Sequence, residues 1–436
     1  MSNDDSNSQA SPTYVRRVVA DGQLVGASRV RIHEFLNYYD LSYENPEDKP
    51  AEVGIQMRRT DEETGEFTLL LYAQGHALTD AERPRFNLVF SLDTSGSMAG
   101  EPMDLLKDSV VALAGKLRQG DVVSLVEWSN TQTVLLDGHE VSGPNDPALI
   151  NVVEGLEPGG STDLHGGLVR AYKAANDHYL DGGINRVFLV SDGGANAGVT
   201  DIDLIAKEAQ DSDGEGIYMV GVGVSESWNY NDELMDEVTD AGKGAYLFID
   251  TPAEAERQFG ERFLANVAIA ARNVRMELTM PWYFGIKEFH GEEYSPVPEE
   301  VEPQHLAPND AMSFHQIIQA CDPEAVFTND KITARATFED PITYEEMSDE
   351  LTLPIGELVK ADADQLYKGD VVVSYAKAFI VISDMVSNDQ GGDAIPIAED
   401  MVDWLNQAAD ALDDEEITEM ADVMADYAAV LQQKFG

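Results

Sequence analysis

FNLVFSLDTSGS, residues Phe86 to Ser97, is the stretch on which the fold turns. Phe86 to Leu92 is a near-continuous apolar run, the pattern of a strand covered on both faces. Working outward, Met103 to Leu117 has apolar residues at helical spacing and ends before Gly120. Val122 to Trp128 reads as the next strand, Asp163 to Leu180 as a long helix, and Arg186 to Ser191 as another buried strand. A helix at Asp201 to Gln210, a strand at Ile217 to Val224 and a helix at Asn231 to Gly242 follow. The strand Tyr246 to Asp250 and a helix from Pro252 to Ala270 close the series. Strands alternating with helices in this way predict an α/β domain over residues 85–271, built on a doubly wound, mainly parallel sheet.

The loop that ends the first strand carries chemistry. Asp93, Ser95 and Ser97 put one carboxylate and two hydroxyls within five residues. Thr162, in GGSTDLHGG, lies just before a helix, and Asp192, in VSDGG, ends another strand. In an open parallel sheet the carboxyl ends of strands share one edge, so the three loops converge. Their donors are all hard oxygens, the set that Mg²⁺ prefers. Gly96, Gly159, Gly160, Gly193 and Gly194 would let the backbone approach a small ion closely. Alone, Asp93-Thr-Ser-Gly-Ser97 could be an ordinary strand-to-helix turn with a capping side chain. Thr162 and Asp192 at matching places argue against that.

This constellation resembles the metal-ion-dependent adhesion site of von Willebrand factor type A domains, whose pattern is DxSxS, then a Thr, then an Asp. The resemblance covers roughly Arg85 to Ala271 and includes the order of strands and helices. It implies that Asp93, Ser95, Ser97 and Thr162 contact the ion directly or through water, with Asp192 completing the shell. The ion would be Mg²⁺, or Mn²⁺ or Ca²⁺, with one position left for a partner's acidic side chain. Ser191 departs from the Thr that is commoner before the last Asp. The flanks, with RVRIHEFLNYYDLSY and the VFLVSDGGANAGVTD series, are also similar to bacterial YfbK-type proteins. Those share with inter-alpha-trypsin inhibitor heavy chains a layout in which the type A domain interrupts a β-rich domain.

Around the α/β domain the texture differs. Residues 1–28 read as a flexible polar tail, and 29–84 as a helical and β-rich flank with strand-like alternation at Val53–Met57 and Glu66–Ala73. Residues 272–370 return to strands, including KITARATF and YEEMSDELTLPI, and 371–436 are mainly helical. Gly369 to Asp384 fits a strand or a buried helix equally. Asp413, Asp414 and Glu415 suit the start of the last helix, where the dipole favours negative charge.

Asp and Glu number 81 against 28 Lys and Arg, a formal net charge of −53 over 436 residues. Such a field repels nucleic acid and anionic membranes and attracts cations and basic partners. It fits a solvated acidic coat of the kind suited to a saline, halophilic habitat. Cys321 is the single cysteine, which excludes an intrachain disulfide and a thiolate metal site. No apolar run approaches the ~20 residues that span a bilayer. The Ser/Asn/Asp-rich start lacks a basic n-region and an apolar h-region, and resembles the spacer behind a removed signal or lipid anchor.

Weaker motifs carry less. DSDGEG, Asp211 to Gly216, begins like an EF-hand loop, but its twelfth place is Val222 rather than Glu. GVGV at Gly221 lacks the third glycine of a nucleotide loop. His165 is a neighbour of the metal loop rather than a ligand, His305 and His315 lack metal spacing, and Trp282 and Trp404 suit a core or an interface. The expectation is therefore a non-enzymatic, metal-dependent module that binds an acidic residue of a partner protein. Two alternatives stand beside it: a metal-dependent hydrolase with Asp163 or His165 as base, and a surface protein whose metal is a staple.

Overall fold

The first described elements are a helix α1 (Ala10–Ala20), a short helix α2 (Ile32–Tyr38), and the paired antiparallel strands β1 (Ala51–Asp61) and β2 (Glu66–Gly75). The computed structural model describes residues 1, 5–61, 63–193, 216–224, 235, 239, 242–297, 300–361 and 363–436. The helices expected at Asp201–Gln210 and Asn231–Gly242, the Asp211–Gly216 loop and Gly194 lie wholly or largely outside these residues. The chain forms two units: Asn7–Arg17 with Leu78–Ala268, and Met1–Ser6 with Val18–Ala77 and Ile269–Gly436.

The first unit is the α/β one. Its strands are β3 (Phe86–Asp93), β4 (Val122–Trp128), β5 (Gln132–Glu140), β6 (Ile184–Ser191), β7 (Tyr218–Val224) and β8 (Tyr246–Ile249). They form one sheet in the order β5-β4-β3-β6-β7-β8, parallel throughout except for β5. Every residue of β3, β6, β7 and β8 is buried, which is why these segments read as largely apolar runs. The helices α3 (Glu101–Ala114), α4 (Pro147–Glu154) and α5 (Leu164–Asp177) cover the sheet, with Phe90 stacked on Phe188 at 5.2 Å within it. Strand β5 was not foreseen: it is an edge strand with few buried side chains and so lacks a clean alternation. The helix expected from Pro252 to Ala270 is broken into Pro252–Ala255, a wider turn at Glu256–Glu261 and Phe263–Val267.

Among the described residues, 5–20 do not form the flexible tail expected of the polar N-terminus. Residues 7–17 belong to the α/β unit, and Tyr14 and Val15 are buried in α1. Composition misleads here because the polar side chains find partners. Asn7 donates to the Ala265 carbonyl at 2.7 Å, the Gln9 amide donates to the Tyr246 carbonyl at 2.9 Å, and Ser8 Oγ accepts from the Tyr246 amide at 3.3 Å. A buried polar group so satisfied costs little.

The second unit is built from chain on both sides of the first. It adds β9 (Ala271–Thr279), β10 (Phe284–Phe289), β11 (Gln304–Leu306), β12 (Ala311–Ala320), β13 (Lys331–Glu339) and β14 (Glu346–Pro354). Two antiparallel sheets result, β1-β2-β12-β10 and β11-β9-β13-β14, and β2 pairs with β12 across the whole intervening α/β segment. A run of helices follows: α6 (Asp364–Ser387), α7 (Gly391–Leu412) and α8 (Glu415–Phe435). The ambiguous Gly369–Asp384 stretch is thus helix, and strand structure ends at Pro354 rather than at residue 370. Asp414 caps α8 by accepting from the amides of Glu416 and Ile417 at 2.9 and 3.2 Å. Among the described residues no helix is long and apolar enough to cross a membrane.

Candidate metal centre

Strand β3 is where the sheet order reverses: the chain runs from it to β4 on one side, and β6, β7 and β8 continue on the other. The crevice beyond the carboxyl end of such a strand is the usual ligand position in an open α/β sheet. Asp93 ends β3, opposite Trp128 of β4, while Leu92 lies opposite Val190 of β6. The register therefore brings Asp93, the β4–β5 turn and the Ser191–Asp192 pair to one edge.

Hydrogen bonds tie the three predicted loops together. Asp93 is fully buried; its Oδ1 accepts from the Ser95 amide at 2.9 Å and its Oδ2 accepts from Ser191 Oγ at 2.8 Å. Ser95 Oγ and Ser97 Oγ lie 3.0 Å apart. The loop carrying Thr162 is joined to the same turn by two backbone bonds, Gly159 amide to Thr94 carbonyl at 2.8 Å and Gly96 amide to Gly160 carbonyl at 3.1 Å. Gly160 and Gly193 have φ of +88° and +71°, values that only glycine adopts freely. Asp93 and Ser95 are buried, Thr162 and Asp192 half-buried and Ser97 exposed, so the set opens to solvent on one side.

Burial pushes the Asp93 carboxyl above its ordinary pKa and the charge of Asp192 adds to the effect, against the hydrogen bonds from Ser95 and Ser191 that pull it down. No Lys or Arg forms an ion pair with it among the described residues. Two other buried carboxylates of this unit are held by guanidinium groups, Asp121 by Arg83 at 2.6 and 3.0 Å and Asp250 by Arg16 at 2.7 Å on both oxygens, while Asp146 is held by His139, Ser142 and two helix amides. A buried carboxylate without a basic side chain, ringed by hydroxyl oxygens, fits a small hard cation in the place a guanidinium takes elsewhere. Among the described residues no group of three or more His, Cys, Asp or Glu is arranged to hold a metal ion, so the donor set here rests on hydroxyls as much as on carboxylates.

Three participants escaped the motif. Ser191 lies one residue before the expected ligand and bonds Asp93 directly. Asn130, from the β4–β5 turn, and Gln132, the first residue of β5, bond the residues on either side of Thr162. Their place after a predicted buried strand was the available signal. Of the two bases considered for hydrolysis, Asp163 is committed as the cap of α5, accepting from the Gly166 amide at 3.1 Å, and also bonds Gln132.

The family model for the von Willebrand factor type A domain matches residues 87–261, the span of this sheet and its site. The chain carries a von Willebrand factor type A domain over these residues. A second model, described as von Willebrand factor, matches residues 5–65. YfbK of Escherichia coli K12 is 30% identical over 276 residues, which is 61% of this chain and 47% of that protein. The human inter-alpha-trypsin inhibitor heavy chain H1 is 23% identical over 54% of this chain and 26% of its own length. The matched regions thus take in about half or less of these relatives. A solved von Willebrand factor type A structure from Catenulispora acidiphila covers 87% of this chain and 91% of its own, with a TM-score of 0.52 at 14% identity, a likeness of fold. Type A domains commonly take part in protein–protein interaction.

Proposed function

We propose that this type A domain holds a divalent cation, Mg²⁺, Mn²⁺ or Ca²⁺, on Asp93, Ser95, Ser97, Thr162 and Asp192, and binds a carboxylate of a partner protein through it. The observation that carries the reading is Asp93, a buried carboxylate that two hydrogen bonds orient and that no basic side chain pairs with among the described residues. Only Asp93 and Asp192 would bring formal charge, while the hydroxyls bring neutral oxygen. A cation so held favours one more anionic oxygen from outside. The strongly negative chain opposes an acidic partner, so the partner's carboxylate should sit within a basic rim.

The role is non-catalytic in this reading. Asp163 is occupied as a helix cap, which removes one of the two nearby bases that hydrolysis would need. Titration calorimetry with Mg²⁺ and Mn²⁺ tests the ion: saturable binding should vanish in Asp93→Ala. Capture of the partner should be lost in EDTA and restored by Mg²⁺. Capture that survives both EDTA and Asp93→Ala would place the interaction elsewhere.

A further inference from the structure

Thr162 differs from the other four candidate ligands because no strand end delivers it. It sits in a glycine-rich loop, and both of its neighbours are held by side chains from the β4–β5 turn and the start of β5. On one side, Asn130 Oδ1 accepts from the Ser161 amide at 2.8 Å and from Ser161 Oγ at 2.6 Å. The same amide lies against Gly160, where an added Cβ would come within 2.8 Å of Asn130 Nδ2. On the other side, Gln132 Nε2 donates to Asp163 Oδ2, and Asp163 in turn caps α5. The turn is itself tight, with the Ser129 amide donating to the Thr131 carbonyl at 3.1 Å, and it springs from the strand next to Asp93.

We infer that Asn130 and Gln132 are positioning residues that clamp Thr162 from both sides and so set the affinity of the cation site. This rests on the metal reading above, but the clamp itself is a property of the metal-free chain. The two amides play opposite parts: Asn130 accepts and Gln132 donates. Changing each to its acid therefore separates positioning from charge. Asn130→Asp keeps an acceptor for Ser161, whereas Gln132→Glu loses the donor and sets a carboxylate against Asp163.

The experiment measures Mn²⁺ affinity of the full chain alongside amide hydrogen exchange across residues 157–168 without metal. Asn130→Ala and Gln132→Ala should each weaken Mn²⁺ by about 10- to 100-fold, the usual effect of removing a group that orients a ligand. Asn130→Asp should restore binding, and Gln132→Glu should be at least as weak as Gln132→Ala. Metal-free exchange should rise in both alanine variants and fall back in Asn130→Asp. If both acid variants bind Mn²⁺ more tightly than the parent, charge rather than position sets affinity and the inference fails. Unchanged exchange in the alanine variants would also overturn it. A parent chain that takes up no Mn²⁺ while the exchange pattern holds would refute the cation and leave the clamp standing.

Discussion

At the amino edge of the six-stranded sheet Asp121 precedes β4, and at the carboxyl edge Asp93 ends β3; both side chains are fully buried. Asp121 accepts a bidentate pair from Arg83 and the amides of Phe86 and Arg118 at 3.0 and 2.9 Å, while the Arg83 guanidinium lies 3.8 Å over the Phe86 ring. Asp93 takes one amide and one hydroxyl, faces Asp192 and draws on no basic side chain among the described residues. The same residue type at the same burial is closed at one edge and left charged at the other. Complete neutralisation suits a group that holds structure; on the proposed reading, incomplete neutralisation suits one that takes a cation.

The hardest test of that contrast is Asp121→Ala. It leaves Arg83 as a buried charge without its carboxylate and takes the acceptor from two backbone amides. Breaking such a pair costs about 3–5 kcal/mol. Chemical denaturation should show a loss of that order, with divalent binding intact in whatever fraction stays folded. A loss below about 1 kcal/mol would erase the difference between the two edges.

Asp93→Ala should do the reverse. Without metal it forfeits two hydrogen bonds of about 1 kcal/mol each but also removes a desolvated carboxylate facing Asp192, so stability should change little. With metal the variants diverge. A ligand at a hundred times its Kd stabilises by about 2.7 kcal/mol, so the parent should melt higher in excess Mg²⁺ and Asp93→Ala should not. An Asp93→Ala chain that unfolds in EDTA would make Asp93 a structural group like Asp121.

These two edges were not equally legible. Asp93, Ser95 and Ser97 fall within five residues and their strand is a near-continuous apolar run, so the strand and the loop at its carboxyl end could be read locally. Thr162 and Asp192 followed because a parallel sheet gathers its strand ends at one edge. Arg83 and Asp121 are 38 residues apart, and in RQGDVV an aspartate before a strand reads as a turn residue, so nothing local declares the pair. Asn130 and Gln132 were missed for a similar reason: an Asn in a hairpin turn has a sufficient local explanation, and its bond to Ser161 spans 31 positions. The N-terminal helix was missed because composition counts polar side chains as solvated, whereas these bond backbone atoms.

Monovalent salt should sharpen the comparison with a smaller effect. A net charge of −53 repels itself across the surface, and that repulsion is screened over ~10 Å at 0.1 M and ~3 Å at 1 M. The melting temperature should rise from low to molar NaCl. Divalent affinity at the open edge should fall, since salt weakens the field that gathers cations. The penalty of Asp121→Ala should hardly move, because a dry ion pair is little screened. A flat melting temperature would show that the acidic coat does not bear on stability.

The finest distinction turns on Ser191, the position where threonine would be the commoner residue. Its hydroxyl donates to Asp93 Oδ2 at 2.8 Å and accepts from the Gly193 amide at 3.2 Å. It thereby orients the carboxylate and shapes the backbone that carries Asp192. Ser191→Ala removes both bonds, while Ser191→Thr retains a hydroxyl that can make them. One net hydrogen bond of about 1 kcal/mol corresponds to about a fivefold change in affinity. In competition for Mn²⁺, Ser191→Ala should therefore bind about five times more weakly than the parent, and Ser191→Thr within about twofold of it. Asp121 offers no equivalent variant, because two of its donors are backbone amides that no substitution removes. If Ser191→Thr bound as weakly as Ser191→Ala, the space around the side chain rather than its hydroxyl would govern Asp93. The open edge would then be set by packing, unlike the closed edge, which the Arg83 guanidinium and two amides set by hydrogen bonding.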